Sequence, residues 1–92
     1  MKLANQVTKI KQIIQNNLSF WDFGFARIEK VEYDKDRETV TYYIIADKFH
    51  SYFMDDLSLV LHELGLITDY VVEPISDKML VVKIGVRKPL EE

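Results

Sequence analysis

The sequence predicts an α+β domain, a two-layer sandwich in which one four-stranded antiparallel sheet packs two helices on one face. Three observations predict it. The chain has 92 residues, the length of one small domain. Two stretches repeat apolar residues at helical spacing, and each is followed by two β-rich runs separated by a turn signal. The resulting order, α-β-β-α-β-β, lets both helices pack their apolar stripes against one face of the sheet in two layers.

The composition is that of a globular protein. Hydrophobic residues make up 48% of the chain and charged residues 29%, which is unlike a disordered segment. The chain has no cysteine, so disulfides and cysteine-ligated zinc are excluded. No run approaches the roughly 18 apolar residues of a membrane span, and the first residues lack the apolar core of a signal peptide. We therefore expect a cytoplasmic protein with no membrane partner.

The first helix is predicted over about residues 3–18. Asn16 and Asn17 weaken its last turn, because short amide side chains compete for backbone hydrogen bonds. Its apolar positions recur at spacings of three and four, which places them on one face: Leu3, Val7, Ile10, Ile14 and Leu18.

The first hairpin is predicted from two strands, at about residues 25–33 and 39–46. The alternation of the first strand is imperfect, since Arg27 and Glu29 share parity with apolar Val31, and this predicts a bulge or an edge strand. The second strand has apolar groups on both faces, which predicts a central strand or a second covered face.

The second helix is predicted over about residues 48–64. Asp47 is the expected N-cap, and Gly65 stands where a helix-terminating glycine is expected. Its apolar stripe consists of Phe49, Phe53, Leu57, Val60, Leu61 and Leu64.

The second hairpin is predicted from strands at about residues 66–73 and 79–87. Pro74 limits ladder pairing at the end of the third strand. The fourth strand alternates well and is divided into two faces by residue parity. One face carries Leu80, Val82, Ile84 and Val86, and the other carries Met79, Val81, Lys83, Gly85 and Arg87.

The residue pattern gives no catalytic or metal-binding constellation. His50 and His62 lie twelve residues apart on one helix, about 18 Å along its axis, so they cannot share a metal ion. Asp55 and Asp56 diverge by about 100° around the helix and do not converge on one substrate atom. We therefore expect no catalytic residue, no metal and no cofactor, and a protein that is not an enzyme.

Aromatic and apolar residues left over from the predicted core form the candidate partner surface. Tyrosine and tryptophan suit protein interfaces because they combine a large contact area with a polar tip. The alternative is that the sheet curls or that a chain segment covers its second face. The candidate residues are Phe20, Trp21, Phe23, Phe25, Tyr43, Ile45 and Val81.

The predicted function is a small non-catalytic protein–protein interaction module that self-associates through this aromatic surface. Acidic residues of the second helix, Asp55, Asp56 and Glu63, are expected to tune partner choice. Two alternatives stay open: a single-strand nucleic-acid-binding domain, in which aromatics stack on bases, and a subunit of an oligomeric enzyme. The acidic balance of residues 31–73 disfavours nucleic acid, so the expected partner is a protein or a second copy in a homo-oligomer.

Overall fold

The computed structural model describes residues 3–20 and 25–89, without the side chain of Phe20. It confirms the predicted α+β class and the order of the elements. A 3-10 turn, Leu3–Gln6, leads into helix α1. The further elements are α1 Val7–Phe20, β1 Ala26–Asp34, β2 Thr39–Ala46, α2 Ser51–Glu63, β3 Ile67–Pro74 and β4 Leu80–Arg87.

The four strands form one antiparallel sheet in the order β1-β2-β4-β3. The predicted hairpins pair within each half of the chain, and the sequence left the join between the halves open. The structure joins them through β2 and β4, which pair continuously from Thr39 opposite Arg87 to Ala46 opposite Leu80. Strand β2 is therefore central, as its two apolar faces predicted, and β1 and β3 are the sheet edges.

Strand β1 contains the predicted bulge. Its register against β2 shifts between Ile28 and Lys30, so that Glu29 is the extra residue. The shift keeps Ile28 and Val31 on the helix side while Lys30 stays on the opposite face. The imperfect alternation of the sequence is therefore explained by one bulge residue, Glu29, in a strand that otherwise alternates between the two faces.

The hydrophobic core lies between the helices and one face of the sheet. Tyr42 is fully buried there, and its hydroxyl donates a hydrogen bond to the carbonyl oxygen of Val7 at 2.7 Å. This bond ties α1 to the centre of the sheet. The fully buried core side chains from both halves include Leu3, Ile10, Ile14, Val40, Ile44, Phe53, Leu57, Leu61, Val82, Ile84 and Val86.

The start of α2 differs from the prediction. The helix begins at Ser51 with His50 in the N-cap position, so Asp47 is not the cap. Asp47 instead extends the β1–β2 pairing: its N–H donates to the Phe25 carbonyl oxygen at 3.1 Å, and its Oδ1 accepts from the Phe25 N–H at 3.3 Å. The Asp47 carboxylate, which the sequence predicts to cap α2, therefore bonds to the hairpin instead.

The end of α2 follows the prediction. Gly65 has a φ of 78°, which a glycine adopts without the steric cost of a Cβ. Its N–H donates to the His62 carbonyl oxygen at 2.9 Å, and the N–H of buried Leu66 donates to that of Leu61 at 3.0 Å. This pair of bonds is a Schellman motif, which turns the chain from α2 into β3.

Neither helix of the described chain combines the length and the apolar character required to cross a bilayer.

Candidate protein interface

The sheet face that the helices leave uncovered is the open face, formed by side chains from all four strands. Register assigns them to four rows across the sheet. In strand order β1, β2, β4 and β3, the rows are Arg27, Ile45, Val81 and Glu73; Lys30, Tyr43, Lys83 and Val71; Glu32, Thr41, Gly85 and Asp69; and Asp34, Thr39, Arg87 and Ile67.

Three residues of the predicted partner surface meet on the open face. Ile45 and Val81 pair directly across β2 and β4, and Tyr43 lies one row away. All three are half-buried rather than fully exposed. Phe25, at the start of β1, exposes 44% of its surface. The predicted residues Trp21 and Phe23, and the side chain of Phe20, fall outside the described part of the chain.

Lysine side chains cover the middle of the open face. The Nζ of Lys30 lies 4.6 Å from the centre of the Tyr43 ring, and the Nζ of Lys83 lies 5.9 Å from it on the neighbouring strand. Lys30 also pairs with Glu32, and Lys83 pairs with Glu73 at 3.2 Å. Neither predicted alternative describes this face fully, because among the described residues it is lysine side chains that cover the Tyr43 ring.

The Lys30–Glu32 pair keeps both groups charged near neutral pH. The hydrogen bond to Glu32 raises the pKa of Lys30 above its ordinary value. The same hydrogen bond is the largest cause of the lowered pKa of Glu32. The pair is exposed to solvent, so it shapes the charge pattern of the face rather than its stability.

Four apolar residues lie at one end of the open face, where Arg27 and Glu73 flank the Ile45–Val81 pair, and we call these four the apolar end: Phe25, Ile45, Val81 and Ile75. Ile75 exposes 55% of its surface, and its N–H donates to the Met79 carbonyl oxygen at 2.9 Å. The sequence prediction missed Ile75. Its parity with Val71 along strand β3, continued through Pro74, was the available signal.

The predicted acidic residues lie elsewhere. Asp55, Asp56 and Glu63 are all exposed on the outer side of α2, across the sandwich from the open face. The structure therefore separates the two sets that the sequence grouped into one function. Tyr52 and Leu59 emerge between these acids and expose 69% and 62% of their surfaces.

A shallow groove runs between the outer flank of α2 and the start of β3. The hydroxyls of Ser58 and Thr68 lie 2.7 Å apart and join the two elements beneath it. Leu59 forms part of its wall, and Asp55 lies at its border. The full lining is Asp55, Ser58, Leu59, His62, Leu66, Ile67 and Thr68.

The two histidines lie at opposite ends of α2, at its N-cap and in its last turn. Across residues 3–20 and 25–89, no group of three His, Asp or Glu side chains is placed to bind a metal ion. The absence of catalysis and of a cofactor stays a prediction.

Comparisons with known proteins identify a similar fold. Neither a scan of family models nor a search of curated proteins yields a match. Among solved structures, the chain is similar to the periplasmic domain of XcpY, with a TM-score of 0.60 at 13% sequence identity. The alignment covers 89% of this chain and 95% of that domain. At this identity the likeness concerns the fold.

This similarity corrects two expectations. The matched domain is periplasmic, which contradicts the predicted cytoplasmic location. It also contradicts the predicted function as a small cytoplasmic interaction module. The cytoplasmic location was inferred from the lack of an export signal in this sequence. The similarity to a periplasmic domain rests on the fold instead. The coarser partner expectation, that the chain works with protein subunits, agrees with the similarity.

Proposed function

We propose that this chain is an extracytoplasmic assembly domain, a non-catalytic component that binds other protein subunits outside the cytoplasm. The observation that carries the proposal is the similarity to the periplasmic domain of XcpY, which covers 89% of this chain and 95% of that domain. Both domains therefore use nearly their whole length for one fold. The alignment leaves no large insertion in either domain.

The apolar end of the open face is the proposed contact with a protein subunit. Phe25 is 44% exposed there, beside the directly paired Ile45 and Val81. Arg27 lies with its guanidinium carbon 5.8 Å from the centre of the Phe25 ring and forms a polar border. An apolar centre with a charged rim is the usual anatomy of a protein interface. Tyr43 lies one row away and adjoins this contact.

A second copy of the chain is the finer proposal for the partner. Rotation of a copy by 180° about an axis parallel to the strands stacks β1 on β3 and β2 on β4 of the two open faces. The two apolar ends then meet, with Ile45 opposite Val81 and Arg27 opposite Glu73 of the other copy, which is the self-complementarity that a two-fold interface requires. Arg27→Glu should abolish such a dimer in light scattering. Adding Glu73→Arg should restore it, and dimerisation unaffected by Arg27→Glu would contradict this partner.

The acidic outer side of α2 has a different proposed role. Asp55, Asp56 and Glu63 lie across the sandwich from the apolar end, so they influence a partner at that end only through long-range electrostatics. We expect their neutralisation to change the association rate and its dependence on salt, with little effect on the dissociation rate.

Protease access combined with photocrosslinking tests the function. The full-length protein in its native host, with a photoreactive residue in place of Phe25, should be cleaved by protease added to spheroplasts. It should also crosslink to a protein of the cell envelope. A photoreactive residue at Thr8, exposed on α1, is the matched control and should not give that crosslink. Protection of the protein in intact spheroplasts would contradict the proposed location, and equal crosslinking from both positions would contradict the proposed contact.

A further inference from the structure

The two edges of the sheet differ in their suitability for strand addition. Strand β1 is interrupted by its bulge and carries Arg27 and Lys30, features that protect an edge from pairing. Strand β3 pairs with β4 without a register shift from Ile67 to Pro74. It carries no lysine or arginine, and only its last residue is a proline. Strand β3 is therefore the regular edge.

The backbone of β3 has pairing capacity on its outer side. Within the described residues, β3 is hydrogen-bonded to β4 and is the last strand of the sheet. In an antiparallel edge strand, alternate residues direct their N–H and C=O groups away from the sheet. An extended segment that pairs with these groups would become a fifth strand.

On the open face, this edge is acidic. The Oδ1 of Asp69 lies over Gly85, 2.7 Å from the position that a Cβ would occupy there. The Asp69 carboxylate makes no hydrogen bond or ion pair with any other described residue. Glu73 lies on the same face and shares its charge with Lys83 at 3.2 Å. Basic side chains of an added strand would meet both carboxylates.

On the helix side, the same edge borders an apolar wall. The groove between α2 and the start of β3 lies beside this edge, and Leu59 exposes 62% of its surface there. Successive side chains of a strand point to opposite faces. An added strand would therefore direct alternate side chains to the helix side, where those beside the start of β3 would meet Leu59, and the others toward Asp69 and Glu73.

We propose that β3 is a docking edge for an extended protein segment in which apolar and basic residues alternate. A second β3 paired in the register centred on Val71 is disfavoured as the occupant, because this register would set Asp69 against Glu73 of the other copy. Like charges directly opposite each other destabilise a strand pair. This edge adjoins the apolar end, since Glu73 pairs with Val81, but the proposal does not depend on the proposed location of the protein.

An eight-residue peptide of alternating lysine and leucine is the probe for this edge. Added to the full chain, it should protect backbone amides of β3 from hydrogen exchange and leave those of β1 unchanged. A peptide of alternating glutamate and leucine should bind at least about tenfold more weakly, since its charges oppose Asp69 and Glu73. Methylating alternate backbone nitrogens of the lysine peptide on its pairing edge should abolish the protection.

Charge reversal on β3 separates the edge from general electrostatics. Asp69→Lys with Glu73→Lys should weaken binding of the lysine peptide by at least about tenfold. The control is Asp36→Lys with Asp77→Lys, which changes the net charge equally at exposed turn positions and should change binding less than about twofold. Thermal unfolding of both variants verifies that they are folded.

Three results would overturn the proposal. The first is an equal loss of binding in both variants, which would indicate attraction to net charge. The second is unchanged binding of the methylated peptide, which would exclude backbone pairing. The third is protection of β3 amides that rises with protein concentration in the absence of peptide, which would identify a second copy as the occupant. None of these results bears on crosslinking from Phe25, so the two proposals fail independently.

Discussion

Tyr42 connects the helix layer to the sheet through one buried hydroxyl. It lies on the central strand β2, and its ring is fully buried in the core. Its hydrogen bond to the Val7 carbonyl oxygen satisfies the hydroxyl at the point where α1 begins. The ring of a buried tyrosine contributes buried apolar area to the core, and its hydrogen-bonded hydroxyl fixes the position of the partner element.

Alkaline pH should unfold the protein partly through Tyr42. Burial raises the pKa of Tyr42 above its ordinary value of about 10, so the unfolded chain releases this proton first as pH rises. The unfolded state then binds fewer protons than the folded state, and the stability present below about pH 10 is lost above it. Tyr42→Phe should give a shallower fall in the free energy of unfolding between about pH 10 and pH 12, measured by urea titration. Tyr52→Phe, at an exposed position, is the control, and an identical slope in Tyr42→Phe and the wild type would contradict the prediction.

Gly85 and Asp69 should be energetically coupled. A Cβ at position 85 would lie 2.7 Å from Asp69 Oδ1, so Gly85→Ala forces that carboxylate to move. Without this contact, alanine in a strand is more stable than glycine by about 0.5–1 kcal/mol. Because that exposed carboxylate makes no bond to another described residue that its movement would break, we expect Gly85→Ala to stabilise the wild type, but by less than the gain of about 0.5–1 kcal/mol expected in Asp69→Ala. Additive effects in chemical denaturation would show that the carboxylate imposes no constraint.

At the scale of elements, helix α2 presents two different surfaces. Leu57 and Leu61 are fully buried against the sheet, while Tyr52 and Leu59 emerge on the outer side. The sequence predicted the buried stripe correctly, because a helix packed on a sheet needs apolar residues at spacings of three and four. It could not decide whether the two outer apolar residues are covered, since that depends on the neighbouring element. The structure leaves them in solvent above the acidic flank.

Two leucines of α2 make a matched test of these surfaces. Leu61→Ala removes a fully buried side chain and should cost about 2–5 kcal/mol of unfolding free energy. Leu59→Ala removes a side chain that is 62% exposed and should change stability by no more than about 0.5 kcal/mol. Both substitutions replace leucine with alanine in the same helix, so the change in helix propensity is the same. The difference between their unfolding free energies therefore reports burial. A cost above about 1 kcal/mol for Leu59→Ala would mean that the outer side of α2 packs in the isolated protein.

At the scale of the whole molecule, two helix–hairpin units share one core. The β2–β4 pair joins the halves along the full length of both strands. Buried side chains from both halves belong to a single cluster, from Leu3 and Ile10 to Phe53 and Val86. Each half alone would expose its apolar face and present a two-stranded hairpin, which is marginal in water. The repeated order is therefore an architectural repeat without independent units.

Splitting the chain between the halves should give complementation. Fragments 1–48 and 49–92 should each lack a cooperative unfolding transition, because each loses the β2–β4 ladder and half of the core. Mixing them should restore the circular dichroism spectrum of the whole chain. Cooperative unfolding of either fragment alone would contradict the shared core.

The sequence by itself determined the class of this protein, the order of its elements and the faces of β2, α2 and β4. These follow from local rules: apolar periodicity, turn residues and the stop at Gly65 depend on neighbours within a few positions. The predicted bulge in β1 also belongs here, since the misplaced parity of Arg27 and Glu29 was visible in the chain.

Only the tertiary structure decided how these faces meet. It joined β2 to β4, recruited Asp47 into the hairpin instead of the cap of α2, and placed lysines over Tyr43 on the open face. The acidic residues of α2 lie on the side of the molecule opposite the predicted partner surface. The physical reason is that these arrangements depend on contacts between residues far apart in the chain, where strand register and competing partners set the outcome rather than local propensity.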